Sequence, residues 1–264
     1  MIGPNKPPRW WLPGPPPPRR QVSLEAVDES YRRDGMPELS VPVRHIRVPF
    51  AERSSALCPY LGRLDRPTTD PSESNETYLF HGCGNVTSPR VVQSFARWGP
   101  SIRFSEARSY FSTGRAVYWS NSIEFALAWC FFCETGSWDL QGFTGEQPLE
   151  SLIFVSRLDL RDIKLQLIPK PQTPEDEEEL DNWCDANMNR IRIPPPKLQQ
   201  SDRGVMGSRI PRRTMESVQM ERHKTDNIWL YAALDEASSQ VIAKAGVEIV
   251  HITFHFQQRP VFKL

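Results

Sequence analysis

The 264-residue chain lacks the motifs by which several large enzyme classes are recognised. It contains no glycine-rich phosphate loop, no Rossmann glycine fingerprint, no His-Glu-x-x-His helix and no Gly-x-Ser-x-Gly elbow. Cys130 and Cys133 stand without the second Cys or His pair that would complete a tetrahedral zinc site. The sequence therefore predicts no metal centre, and its chemistry must be sought in less common patterns.

Net charge is also absent, since 32 basic side chains balance 32 acidic ones. Such a chain has no global attraction to nucleic acids or acidic membranes. No stretch approaches the ~18 apolar residues of a membrane span, and the N-terminus has no signal-peptide run. Five cysteines at irregular spacing favour free thiols over a disulfide framework. We therefore expect an intracellular protein, cytoplasmic or nuclear, with no membrane partner.

The hydrophobic content of 39% suffices for one main domain. Residues 1–38 are rich in proline and basic residues, which predicts a disordered tail. Its PGPPPP stretch favours polyproline II and could dock into an aromatic-lined groove of a partner, although a merely solvated tail is the favoured interpretation. Residues 39–264 are predicted to form the domain.

A charged, proline-rich insertion is predicted at about residues 169–222. It begins with an acidic run, and nine basic residues against three acidic ones follow between Arg190 and Lys224. The basic part lacks the interleaved aromatic residues that stack on nucleic-acid bases. We therefore favour a flexible basic loop over a nucleic-acid patch.

Hydrophobic periodicity predicts an α+β fold of six to eight strands. Strands are expected at 41–50, 77–83, 116–119, 149–160, 163–168 and in NIWLYAALD, and helices at 90–98 and 122–133. An Asn121-x-x-Glu124 capping box is expected to open the second helix. Residues 239–256 are interpreted as two paired strands or one long bent strand.

His81 is the most informative histidine because it ends an apolar strand and precedes Gly82, whose bare backbone allows a ligand to approach. Tyr118 lies on a short strand before a buried helix, eleven residues ahead of Trp129. Two aromatic planes with a backbone donor and acceptor would form a slot for a flat amide-bearing ring such as nicotinamide. Each aromatic residue taken separately is better explained as core packing.

The segment FHGCG at 80–84 resembles the His-Gly strand of poly(ADP-ribose) polymerases and diphtheria-toxin-type ADP-ribosyltransferases. VYWSNSIEFALAWC at 117–130 is similar in spacing to the Gly-x-Tyr-Phe strand and following helix of that family. The chain also resembles fungal proteins in which a Phe-His-Gly strand is followed by a Tyr strand and an aromatic helix. The resemblance covers roughly residues 77–256 and implies an ADP-ribosyltransferase-like fold, with two small, mostly antiparallel sheets packed around a cleft that binds NAD as the substrate.

The resemblance assigns the cofactor-binding residues position by position. His81 would bond the adenosine-side ribose, and the backbone of Gly82 would hold the carboxamide of nicotinamide. Tyr118 would line the pocket, with Ser120 on the same strand, and Trp129 would replace the stacking tyrosine of the family.

The main departure from the family concerns the catalytic glutamate that begins one of its C-terminal strands. In SQVIAKAGVEIVHITF the resemblance places Gln240 there, so Gln240, Tyr118 and His81 form the expected catalytic set. A carboxylate stabilises the oxocarbenium-like state of nicotinamide–ribose cleavage, whereas a neutral amide supplies no full charge. Glu236, four residues earlier, is an alternative carboxylate.

The predicted function is therefore cleavage of the nicotinamide–ribose bond of NAD. The acceptor would be a protein or nucleic acid in an ADP-ribosyltransferase and water in an NAD glycohydrolase. The alternative is an inactive module of the same fold that binds NAD or ADP-ribose, or that serves in protein interaction.

Overall fold

The computed structural model describes residues 24–49, 71, 74–84, 86, 89–103, 105, 109–135, 138, 148–198, 204–218 and 227–255. The strands are β1 Val43–Pro49, β2 Glu76–Cys83, β3 Val117–Ser120, β4 Leu149–Asp159, β5 Leu165–Leu167, β6 Val205–Arg209, β7 Trp229–Ala233 and β8 Gly246–His255. The helices are α1 Leu24–Arg33, α2 Pro89–Trp98, α3 Ile123–Thr135, α4 Pro174–Met188, α5 Arg212–Val218 and α6 Glu236–Lys244, with a short 3-10 turn at Leu160–Asp162.

All eight strands belong to one mixed sheet in the order β1-β8-β4-β2-β3-β7-β6-β5. The pairs β1–β8 and β5–β6 are parallel, and the other five pairs are antiparallel. The expected mixture of helices and mostly antiparallel strands is confirmed, but there is one sheet where two were expected. Its halves meet at β2 and β3, which share a single registered pair, Phe80 with Ser120.

Each face of the sheet carries its own apolar core because side chains alternate along a strand. One face, called here the α2 face, includes Leu79, Trp119 and Phe154 and is covered by α2 and α6. The other, called the α3 face, includes Phe80 and Ile153 and is covered by α3. Over β6 and β7 the α3 face also packs against α4.

Six strands, β1 to β5 and β7, and helices α2 and α3 lie close to their predicted positions. β1 is an edge strand, as its prolines indicated. Gly99 ends α2 with a positive φ of 69°, which confirms its predicted role as a cap. The cap of α3 differs from the prediction, because Ser122 Oγ accepts from the N–H of Phe125 at 3.2 Å. Asn121 instead bonds the backbone of Asn227 and Trp229.

The tail prediction for residues 1–38 is wrong at its C-terminal end, where α1 is a helix. Its residues Val27 and Tyr31 are buried, and the Tyr31 ring stacks on Trp98 with centroids 4.9 Å apart. The apolar pattern of this helix is weak because Val27 and Tyr31 are its only described side chains that are buried, and polar contacts such as that of Asp28 with Nε1 of Trp98 at 2.7 Å also hold it. The PGPPPP stretch lies outside the described residues.

The predicted insertion is part of the fold rather than a flexible loop over its described residues. Helix α4 begins at a capping box in which Thr173 and Asp176 bond each other's backbone, with Pro174 in the first turn. The basic section includes β6, which joins β5 to β7 inside the sheet, and α5. Its basic character therefore does not prevent burial of its strand.

Residues 239–256 are likewise not two strands. Asp235 caps a helix by accepting from the N–H of Ser238 at 2.8 Å, so α6 precedes β8. The pattern of SQVIAK suits either element, and a polar cap of this kind outweighs the weak β-propensity of a short segment.

Four of the cysteines, Cys83, Cys130, Cys133 and Cys184, are free thiols as expected, and Cys58 lies outside the described residues. None of the helices described is long and apolar enough to cross a membrane.

Candidate functional site

A backbone hydrogen bond next to β2 shows in which direction the peptide groups of this strand point. The N–H of Leu160 donates to the carbonyl of Asn75 at 2.8 Å, in line with the regular β2–β4 ladder. Alternate residues of an antiparallel strand direct their peptide groups to opposite neighbours. The peptide groups of odd-numbered residues of β2 therefore point to β4. Those of even-numbered residues, including Gly82, point to β3.

The β2–β3 ladder stops before it reaches Gly82. Continuation from the Phe80–Ser120 pair would set Gly82 opposite Tyr118, but the register contains no such pair. The carbonyl of Tyr118 instead accepts from His81 Nδ1 at 2.7 Å. The N–H and C=O of Gly82 therefore point toward β3 beyond the last registered pair of the two strands, a place called here the β2–β3 gap.

The bond to Tyr118 also fixes the state of His81. A carbonyl can only accept, so Nδ1 carries the proton and Nε2 of the neutral ring is an acceptor. Burial lowers the pKa of His81 to about 4, which keeps the ring neutral at pH 7. The ring lies near Phe95 and Trp119, with centroid distances of 6.0 and 5.5 Å, and Nε2 bonds no residue that the structure describes. His81 thus presents an oriented, uncharged acceptor.

Gly82 has a packing role that the sequence did not indicate. A Cβ at this position would lie 2.1 Å from the carbonyl oxygen of Ala126 and 3.0 Å from Sγ of Cys130, both in α3. The helix therefore rests directly on the backbone of β2. Glycine is required here by α3 itself, in addition to any ligand at the gap.

Tyr118 and Trp129 do not form the expected two-ring slot. The Tyr118 hydroxyl accepts from the N–H of Phe111 at 2.7 Å, and burial raises its pKa strongly. The Trp129 ring stacks on Phe132 and tilts against Trp138, both at 5.8 Å. No contact between the two predicted rings exists in the described part of the chain, because each is held by its own aromatic neighbours.

Ser120 has a structural role in the described geometry. Its buried hydroxyl accepts from the N–H of Ser122 at 3.0 Å, which supports the turn between β3 and α3.

Gln240 does not begin a strand and is therefore a wrong choice for the strand-borne catalytic residue. It is buried in α6, where its amide donates to the carbonyl of Trp98 at 3.3 Å and to Glu236 at 3.4 Å. Glu236 also accepts from Tyr31 and Ser101 at 3.2 and 3.0 Å. Both residues hold α1, α2 and α6 together rather than face the gap.

The carboxylate that does lie near the start of the last strand is Glu248, the third residue of β8. Its register partner is Val155, which in turn pairs with Phe80, so the three lie in one row on the α3 face. Glu248 lines a cavity of about 360 Å³ together with Pro42, Val43, Arg44, Tyr78, Phe80, Val155, Arg157 and Val247. Sequence reasoning missed it because the start of the strand segment was set at residue 239, seven residues before Gly246.

Glu248 is held by an arginine on the neighbouring strand. Nη2 of Arg44 lies 2.9 and 2.8 Å from the two carboxylate oxygens. Strands are about 4.8 Å apart and alternate residues about 6.8 Å apart, so the Cα atoms of Glu248 and Gly82 are separated by roughly 12 Å. The two positions are close enough to contact one dinucleotide, but Glu248 projects from the α3 face, whereas the His81 ring, against Phe95 and Trp119, projects from the α2 face.

In comparisons of the chain with family models, curated proteins and solved structures, nothing matches. The site must therefore be interpreted from its own geometry.

Proposed function

We propose that the protein cleaves the nicotinamide–ribose bond of NAD, as an ADP-ribosyltransferase or an NAD glycohydrolase. The observation that carries this proposal is the peptide of Gly82, which directs a donor and an acceptor into the β2–β3 gap beside a neutral His81. A primary carboxamide offers one acceptor and one donor in the complementary arrangement.

His81 would then bind a hydroxyl group of the substrate. Its Nε2 is an acceptor at neutral pH, and ribose hydroxyls are donors. Because the ring is uncharged, it adds no second cation next to the positive nicotinamide ring. This agrees with the role that the family resemblance implies for His81.

Glu248 replaces Gln240 as the proposed catalytic carboxylate. Because Glu248 and the His81 ring lie on opposite faces of the sheet, the role requires that NAD pass through the β2–β3 gap to reach both. The bond between C1′ and the nicotinamide nitrogen breaks, and its electron pair leaves with nicotinamide. The positive charge that develops on the ribose is stabilised by the carboxylate. An oxygen of the acceptor or of water then bonds C1′ and loses its proton to the carboxylate or to solvent.

The Arg44–Glu248 ion pair favours a second candidate, a module that binds NAD or ADP-ribose without cleaving it. An arginine on both carboxylate oxygens competes with a ribose hydroxyl and neutralises part of the charge. Cleavage requires that at least one carboxylate oxygen remain available to the substrate.

The two candidates are separated by incubating the purified chain with NAD and measuring nicotinamide release by chromatography, with calorimetric titration of NAD alongside. Release that disappears in His81→Ala supports cleavage at this site. Saturable NAD binding without any release supports the binding module. If NAD neither binds nor is cleaved, both candidates are wrong.

A further inference from the structure

Two histidines and a glutamate lie near the β1 edge of the sheet. His45 of β1 and His251 of β8 are register partners, and their Nδ1 atoms are 3.0 Å apart. Nε2 of His251 lies 3.0 Å from the carboxylate of Glu150 on β4. The three side chains thus form one line across three adjacent strands.

The position of each proton follows from the partners. A carboxylate can only accept, so the neutral His251 ring carries its proton on Nε2 and its Nδ1 is a bare lone pair. When both rings are neutral, the 3.0 Å contact between them places the proton of His45 on Nδ1. His251 is therefore fixed with a free nitrogen lone pair directed at His45.

We propose that His45 and His251 bind a divalent transition-metal ion, of which Zn²⁺ and Ni²⁺ are the test cases. Metal to imidazole distances are about 2.0–2.1 Å, so two nitrogens at a right angle on one ion lie roughly 3 Å apart. The observed 3.0 Å needs only a small adjustment. Binding displaces the Nδ1 proton of His45, and that ring takes the Nε2–H tautomer.

Glu150 strengthens the assignment because metal-binding histidines commonly donate their other N–H to a carboxylate. This bond orients the His251 ring and fixes its tautomer. It also places a negative charge close to the ion. Glu150 therefore acts through His251 and does not itself touch the metal.

The site can be reached from solvent, since His45 is exposed while 12% of the His251 side chain is exposed. The described residues contain no group of three or more His, Cys, Asp or Glu that could hold a metal, so water completes the coordination. The ion would join residues 206 positions apart in the chain and fix the edge strand β1 to β8. Because the pair exists only in the folded chain, binding raises the unfolding temperature.

The test is titration of the full chain with Zn²⁺ and with Ni²⁺ in a non-chelating buffer, followed by calorimetry. Imidazole nitrogen NMR with Zn²⁺ reports the tautomers. We expect the number of ions bound per chain to fall by one in His45→Ala and in His251→Ala. In Glu150→Gln we expect the affinity for the ion to be at least tenfold weaker. The NMR spectrum should show His45 changing from the Nδ1–H to the Nε2–H form.

His255→Ala is the matched control, since this exposed histidine of β8 pairs with Pro49 rather than with another histidine. Its affinity and stoichiometry should equal those of the parent. Equal binding by the parent and by the His45→Ala, His251→Ala double variant would overturn the proposal, as would an unchanged His45 tautomer at saturation. Circular dichroism confirms that each variant is folded.

Discussion

Replacement of Glu248 by Gln is expected to lower nicotinamide release from NAD by about 10²–10³-fold, which is the usual cost of removing one group that stabilises charge in a transition state. The amide keeps the size of the side chain but removes the negative charge opposite the developing oxocarbenium ion. NAD affinity should change little, because the nicotinamide and ribose contacts are proposed for Gly82 and His81. Initial rates at saturating NAD, with calorimetric affinities, measure the two effects separately.

The variant should remain folded. It loses the ion pair with Arg44, whose side chain is 42% exposed, and such pairs contribute about 0–1 kcal/mol. Glu179→Gln, an exposed glutamate on α4, is the charge-matched control and should retain the parent rate. Gln240→Ala discriminates between the two candidate positions. A rate lost in Gln240→Ala but retained in Glu248→Gln, per folded molecule, would return the catalytic role to residue 240.

The Gly82→Ala replacement is expected to lower the free energy of unfolding by about 3 kcal/mol, at the upper end of ordinary overpacking. The added Cβ would lie 2.1 Å from the carbonyl oxygen of Ala126, which is backbone and cannot rotate away. Helix α3 must therefore shift off β2. Because that shift also alters the peptide at the gap, nicotinamide release should fall with stability, and urea unfolding measures the first effect.

Gly114→Ala is the control for the general effect of adding a methyl group. Its Cβ would lie 3.4 Å from Ser112 Oγ, an ordinary contact with a side chain that can move. Its stability should stay within about 1 kcal/mol of the parent. If Gly82→Ala were as stable as Gly114→Ala, the direct contact of α3 with β2 would be refuted.

The elements with strong local signals were predictable from the sequence. The aromatic and β-branched run before Cys83 gave β2 to within one residue, and the helical spacing ended by Gly99 gave α2. His81 and Gly82 were correctly located at the end of that strand. What they contact, the carbonyl of Tyr118 and the backbone of α3, depends on pairing between distant segments and has no local signature.

The predictions that the structure contradicts have a common physical origin. A short segment is compatible with more than one structure, and a capping residue or a packing partner determines which one forms. Asp235 turns SQVIAK into a helix, which moves the start of the last strand to Gly246 and the candidate carboxylate to Glu248. The expected slot between the rings of Tyr118 and Trp129 did not form because each ring packs against nearer aromatic partners. Spacing along the chain does not determine such choices.

The central claim is that the peptide of Gly82 receives the carboxamide of nicotinamide. It is tested most directly by following the backbone amide resonance of Gly82 during titration with nicotinamide, with nicotinic acid as the comparison because its carboxylate cannot donate to the Gly82 carbonyl. The proposed site predicts a saturable shift of this resonance with nicotinamide and a weaker affinity for nicotinic acid. A Gly82 resonance that stays unchanged at saturating nicotinamide, or that responds equally to both compounds, would contradict it.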